Sequence, residues 1–228
     1  MATKKPSPKK LIFRYTEFPF LIDMLCKQEL TFLSPDSWVD KNDAYYLKQY
    51  GKEKNLRSVL ALCFTKADET SHLWQIFAGN SNGVRIEFNE KKLVSSLKAN
   101  QPKLRAGPVT YNHINYLKKN PPKKETWPFL KRCQFKVEEE FRIIYEGDSD
   151  DESSKSVPFD ISSIERIVLS SLMTDPVAGF VTSTIKKIPD CSKLNIRRSR
   201  LTDNKAWQAI ITPKETPKKL NHRQSLHP

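Results

Sequence analysis

Residues 58–64, SVLALCF, are apolar at every position after the serine, and a run of this length without polar alternation is a strand covered on both faces. Such a strand needs neighbours to pair with and layers to cover it, so the rest of the chain must supply both. Short apolar runs supply the neighbours, with strands expected at residues 11–15 (LIFRY), 29–33, 84–88 (VRIEF), 107–111, 139–145, 164–169, 194–197 and 206–211. Helical spacing at Phe18, Leu21, Ile22 and Leu25 predicts a helix over 17–28. Further helices are expected from the Thr70-Ser71 cap to Phe77, from Asn89 to about Leu97, and over 127–131 and 176–186. Residues 38–55, rich in Tyr and Lys, read as a long loop or broken helix, 79–83 as a turn and 147–156 as an acidic loop. Strands joined sometimes through helices and sometimes only by turns describe an α+β fold, with a mixed, mostly antiparallel central sheet flanked by helices.

The 228 residues suit one such domain, spanning 11–211, between a basic flexible tail at 1–10 and a second at 212–228. With 38% hydrophobic and 10% aromatic residues, general disorder is excluded. The six glycines argue against a glycine-rich nucleotide loop, and no internal repeat is visible. Cys26, Cys63, Cys133 and Cys191 are too widely spaced for a structural zinc site, so four separate reduced thiols and no metal are expected. The N-terminus lacks the apolar core of a signal peptide, and no stretch has the length of a membrane helix; a cytoplasmic protein without a membrane partner is the expectation.

Chemistry concentrates at FKVEEEFRIIY, residues 135–145. On a continuous strand Glu138, Glu140 and Arg142 would share one face, either as a solvent-facing ladder of charges or as two carboxylates kept together for a cation or polar ligand. Arg14, between Phe13 and Tyr15 on the first apolar run, needs an anionic partner, which an internal carboxylate or a phosphate would provide. His72 reads as a surface or capping residue rather than a catalyst, and Trp74 reads as core.

Together these segments carry a resemblance. The order Arg14-Tyr15, Leu30 to Pro35, Asp40-Lys41-Asn42-Asp43, Cys63-Phe64-Thr65, Leu73-Trp74-x-x-Phe77-Ala78, Gly83-Val84-x-Ile86-x-Phe88 and Glu138-x-Glu140-x-Arg142 resembles a large bacterial family of uncharacterised domains, over residues 11–211. That family is remotely similar to the DarT-like ADP-ribosyltransferase toxins that modify nucleic acid. The resemblance implies an ADP-ribosyltransferase-like fold and NAD as substrate. It gives NAD binding to Arg14 and Tyr15, support of the nicotinamide ribose to Ser34, and a stacking aromatic that could be Tyr15, Tyr45, Tyr46 or Trp74. It makes Glu140 or Glu138 catalytic, with no metal. No Ser-Thr-Ser triplet follows the second strand, a departure from the best-known pattern.

The 39 Lys and Arg against 26 Asp and Glu leave a formal charge of +13, which attracts polyanions. One basic cluster includes Lys123, Lys124, Lys131 and Arg132, and another Arg197, Arg198 and Arg200, with Tyr111, Tyr116, Trp127 and Trp207 interleaved. Cations beside aromatics are a grip for single-stranded nucleic acid, although a solvated surface would carry the same residues. Two classes of function follow. One is an NAD-dependent ADP-ribosyltransferase modifying nucleic acid, RNA favoured over DNA, as the toxin of a toxin–antitoxin or phage-defence system with an antitoxin partner. The other is a non-catalytic nucleic-acid-binding module; within the enzyme class, a protein acceptor is a further alternative.

Overall fold

The computed structural model describes residues 10–148 and 152–211; both expected tails, apart from Lys10, and the centre of the acidic loop lie outside them. In chain order the elements are β1 (Leu11–Glu17), α1 (Phe18–Lys27), β2 (Glu29–Leu33), α2 (Lys41–Glu53), β3 (Ser58–Thr65), α3 (Ser71–Phe77), β4 (Gly83–Asn89) and α4 (Glu90–Asn100). There follow β5 (Leu104–Pro108), β6 (Thr110–Asn112), α5 (Ile114–Lys119), β7 (Leu130–Arg132), β8 (Glu140–Gly147), β9 (Ser154–Pro158), β10 (Ile164–Leu169), α6 (Asp175–Lys187), β11 (Ile196–Arg198) and α7 (Lys205–Gln208). Among the described residues nine strands form one mixed sheet in which only β10 and β11 run parallel; β6 and β7 make a separate parallel pair. The mostly antiparallel α+β architecture expected from the sequence is the one observed.

The sheet divides at β3. One edge of β3 pairs with β8 from Ser58↔Gly147 to Thr65↔Glu140. The opposite edge is shared, since Ala61 meets Leu33 of β2 while Thr65 meets Phe13 of β1, one Cα pair each. Residues two apart on a strand direct their main-chain groups to the same edge, so Cys63 presents its carbonyl into the gap between β1 and β2. Arg14 fills that position, its Nη1 donating to the Cys63 carbonyl at 3.1 Å.

Both faces of the sheet are covered. Ile12, Leu62, Phe64, Ile86, Phe88, Ile143 and Ile167 belong to the main core together with Leu21 and Leu25 of α1, Leu93 and Leu97 of α4, and Val181 and Ile185 of α6. On the other face α3 packs Leu73 and Trp74 against Tyr15 and Val168, and α2 packs Leu47 and Tyr50 against Ala61 and Ile144. Register places Glu140, Thr65, Phe13, Glu87 and Arg166 side by side on this second face, in one row across β8, β3, β1, β4 and β10. Arg14, one residue on from Phe13, points to the first face with Ile12.

Several expectations change. Residues 38–55 contain a continuous helix, capped where Asn42 N–H donates to Asp40 Oδ1 at 3.0 Å, with Asp43, Ala44, Leu47 and Tyr50 buried along one stripe. Over 127–131 the chain forms a 3₁₀ stretch ending at Phe129 and then β7, because Pro128 lacks the donor an α-helix requires. Residues 107–111 divide between β5 and β6, which pair in different sheets. The expected strand over 206–211 is replaced by α7, whose first turn is capped by Asn204. Ile210 and Ile211 have strand propensity, but they are 73% and 86% exposed, and pairing rather than propensity makes a strand.

Candidate active site

Residues 135–145 are not one strand. Cys133–Glu138 forms a 3₁₀ stretch, Glu139 turns the chain with φ 40° and ψ 49°, and β8 begins at Glu140. The bend is pinned by the Thr65 hydroxyl, which donates to the Glu138 carbonyl at 2.5 Å and accepts from Ala67 N–H at 2.9 Å. Lys66 N–H, in turn, donates to the Glu139 carbonyl at 2.9 Å. Glu138 thereby leaves the strand and still meets Glu140, through Lys131 of β7.

Lys131 Nζ lies 2.6 Å from Glu138, 3.3 Å from Glu140 and 3.6 Å from Asp43. Behind it Arg142, fully buried, donates Nε to Glu140 Oε1 at 2.7 Å and Nη2 to Glu140 Oε2 at 2.9 Å. Its remaining donors reach both Asp43 oxygens, at 2.9 and 2.7 Å, and the Pro128 carbonyl at 2.8 Å. Every guanidinium N–H is thus used, and the Trp38 ring covers the group at 4.9 Å. Two cations and three carboxylates share one buried cluster.

The two glutamates respond in opposite senses. Burial works to raise Glu140, but the charge and hydrogen bonds of Arg142, aided by Lys131, override it and hold the carboxyl at about 2. Glu138 is raised, because burial outweighs its hydrogen bond and attraction to Lys131, and Glu140 adds like charge. Burial also pushes the Tyr111 hydroxyl up to about 12, and that hydroxyl accepts from Glu140 N–H at 2.7 Å. Cys63, facing the same cluster, has its thiol pushed well up by burial and by Glu140.

The other expected residues are distributed. Tyr15 and Trp74 meet edge to face with centroids 5.2 Å apart on the Glu140 side of the sheet, and Trp74 Nε1 donates to Glu69 at 2.9 Å. Arg14 is on the opposite face. Ser34 caps a 3₁₀ turn, accepting from Asp36 N–H at 3.2 Å, and lines a hollow of about 370 Å³ with Asp36, Ser37, Glu152 and Ser153.

Among the basic residues Lys131 is directed inward, Lys124 pairs with Glu53, Arg198 with Asp175, and Arg132 lies 4.0 Å from Asp40 and stacks on Phe135. Arg197, Arg198 and Arg200 line a second cavity of about 670 Å³ with Glu69, Ser199 and Trp207. Lys123 is exposed. Of the interleaved aromatics, Tyr116 and Trp207 are exposed, whereas Trp127 packs against Tyr46 and donates to the Pro122 carbonyl at 3.2 Å.

Sequence reasoning missed Asp43 and Arg85. Both carry buried charge in segments read as a long loop or broken helix and as a strand, and a charged residue at a core-facing position was the available signal. It also missed the pairing of Cys133 Sγ with His113 Nδ1 at 2.9 Å, which follows from the parallel pairing Asn112↔Arg132 immediately before them. Among the described residues no group of three or more His, Cys, Asp or Glu could hold a metal ion, and no helix is long and apolar enough to cross a membrane.

No protein-family model matches the chain, and no curated protein matches it. Three solved structures of DarT from Thermus sp. 2.9 are similar to it. The complex with ADP-ribosylated ssDNA aligns at TM-score 0.45 and 12% identity over 87% of this chain and 98% of that one. The complex with carba-NAD+ aligns at 0.44 and 12%, and the complex with NAD+ at 0.43 and 10%, each over 86% of this chain and 98% of the other.

Proposed function

We propose that this chain is an ADP-ribosyltransferase that takes NAD as donor and nucleic acid as acceptor. The observation that carries the reading is the separation of the two carboxyl groups around Lys131, one held ionised at about 2 and the other raised. Neighbouring titratable groups pushed apart in this way divide acid–base labour between them. Cleaving the bond between nicotinamide and ribose builds positive charge on the sugar, as in glycoside hydrolysis. Glu140, anionic throughout the physiological range, is suited to stabilise that charge. Glu138, with 14% of its side chain exposed and its pKa raised, is suited to take the proton of the attacking group.

Tyr15 and Trp74 stand on the Glu140 face, and in this proposal they wall the dinucleotide pocket. Arg14 and Ser34 receive structural roles, closing the sheet gap and capping a turn. Arg14→Met separates the alternatives. Loss of a structural hydrogen bond predicts a protein less stable by about 1–3 kcal/mol with the KM for NAD unchanged. An Arg14 that grips the diphosphate predicts instead a KM raised by about tenfold or more.

Affinity for nucleic acid is assigned to phosphate contacts from Lys123, Arg132 and Arg200, with Tyr116 and Trp207 available for stacking. RNA is the acceptor the proposal favours, and the biological role is that of a toxin held in check by an antitoxin. Protein incubated with adenylate-labelled NAD and, separately, with RNA, single-stranded DNA and protein should label a nucleic acid. Label on protein alone would reassign the acceptor, and no NAD consumption with any acceptor would remove the enzyme reading. Induced expression should arrest growth for the wild type and not for Glu140→Gln.

One observation favours a second reading, a binding module with a structural acid cluster. Arg142 uses all its donors on Asp43, Glu140 and a carbonyl, as a purely structural group would. The pH profile distinguishes the two. A general base at Glu138 predicts transferase activity that rises with pH through a pKa above the ordinary 4.5. In Glu138→Gln that acidic limb should vanish and the plateau rate should fall by about 10²–10⁴-fold. A limb unchanged in the variant would assign the titration elsewhere.

A further inference from the structure

Three guanidinium groups converge on one carboxylate at the far end of the row that begins with Glu140. Arg85 Nη2 lies 2.5 Å from Glu87 Oε1, Arg166 Nη1 lies 3.4 Å from Oε2, and Arg197 Nη2 lies 3.9 Å from Oε1. Arg85 and Glu87 are only 5% and 3% exposed, while the Arg166 and Arg197 side chains are 34% and 51% exposed, so the cluster has a buried floor and an open mouth. One anion cannot neutralise three cations. The Nε atoms of Arg85 and Arg166 are buried without any acceptor, an unmet demand for a hydrogen-bonding partner. Clusters of arginine around too little negative charge are what phosphate groups fill, because each guanidinium fork matches two phosphate oxygens.

The surroundings fit a nucleotide. Arg197 also lines the cavity of about 670 Å³ that continues along the β11 edge to Trp207, 75% exposed. Glu69, on the cavity wall, accepts from Trp74 Nε1 and from the Ser199 hydroxyl, which ties this wall to the Tyr15–Trp74 pair. Tyr15 stands opposite Arg85 in the β1–β4 register, and Arg85 stacks over the Phe13 ring at 4.7 Å. From Glu140 to Glu87 the row crosses three strand spacings, about 14 Å of sheet that long side chains on both sides shorten.

We propose that Arg85, Arg166 and Arg197 form a diphosphate-binding site for a nucleoside diphosphate, opening into the cavity at Trp207. This rests on the transferase reading in that the diphosphate would be that of NAD, but the site stands on its own geometry. Titration calorimetry with ADP, ADP-ribose and adenosine tests it, using wild type, Arg166→Gln/Arg197→Gln, Glu140→Gln and the control Lys91→Gln/Lys98→Gln, which removes two exposed positive charges elsewhere. The wild type should bind ADP and ADP-ribose well above adenosine. The double arginine variant should lose about tenfold or more in affinity with an unchanged melting temperature, since both side chains are partly exposed. The control and Glu140→Gln should bind as wild type.

Equal binding by the double arginine variant and wild type would overturn the site while leaving transferase activity to stand. No binding of ADP or ADP-ribose by the wild type at millimolar concentration would overturn it as well. Binding that follows the prediction in a protein that consumes no NAD would instead retain the site and remove the transferase reading.

Discussion

Arg142→Leu is expected to cost about 3–5 kcal/mol, enough to unfold much of the population of a domain whose total stability is typically about 5–15 kcal/mol. The side chain is fully buried and compensates Asp43 and Glu140, which are 4% and 6% exposed. Without it, Asp43, Glu138 and Glu140 would face the single ammonium of Lys131. Leucine fills part of the volume and satisfies none of the charge. Urea denaturation gives the test, and a midpoint within experimental error of wild type would show that the cluster contributes nothing. The triple replacement Arg142→Leu, Asp43→Leu and Glu140→Leu should recover part of the loss, because removing both signs together avoids the uncompensated anions.

The same cluster sets the acid limb of stability. Glu140 has a folded-state pKa of about 2 against 4.5 ordinarily, so the unfolded chain binds its proton first. Its contribution, about 3 kcal/mol, is fully present above the unfolded value and is lost as pH falls from about 4.5 towards 2. Glu138 acts in the opposite sense, since its raised pKa makes ionisation unfavourable to the fold, and it offsets part of that loss.

How much of this could be read from the residues depends on what each signal measures. β3 was legible because its apolar run is continuous and bounded by polar residues, and α2 was obscured because its exposed face is dense in Lys and Tyr. Alternation shows which residues share a face and is silent on what covers that face. VRIEF alternates as a half-exposed strand would, yet Arg85 and Glu87 on its polar side are buried and become an internal pair. Arg14 illustrates the same limit, because a strand covered on both sides offers no sequence distinction between the face of Ile12 and the face of Tyr15. Glu139 marks another: a left-handed glutamate is a consequence of the Thr65 and Lys66 hydrogen bonds, which join positions more than 70 residues apart. The neighbouring motif Glu-x-Glu-x-Arg names side chains that do meet, since Glu138 returns to Glu140 through Lys131.

Glu140→Gln should reduce NAD consumption by about 10²–10³-fold or more while the protein remains folded. Glutamine retains the size of the side chain and can still accept from Arg142 and Lys131 through its carbonyl oxygen, but it places an NH₂ donor where a second acceptor stood. Arg142 would keep both oxygens of Asp43, so one strong bidentate partner survives, and a stability loss smaller than that of Arg142→Leu is expected. The electrostatic effect is not rescued in that way, because in the proposed reaction the negative charge at this position would oppose positive charge developing on a sugar, and an amide dipole is a weak substitute in a water-excluded site. The decisive comparison is kcat for NAD hydrolysis measured alongside the urea midpoint and ADP-ribose affinity. A large fall in kcat with binding retained assigns Glu140 to the chemical step. A kcat unchanged in a folded, ADP-ribose-binding variant would reduce the acid cluster to a structural device and leave the chain a nucleotide- and nucleic-acid-binding module.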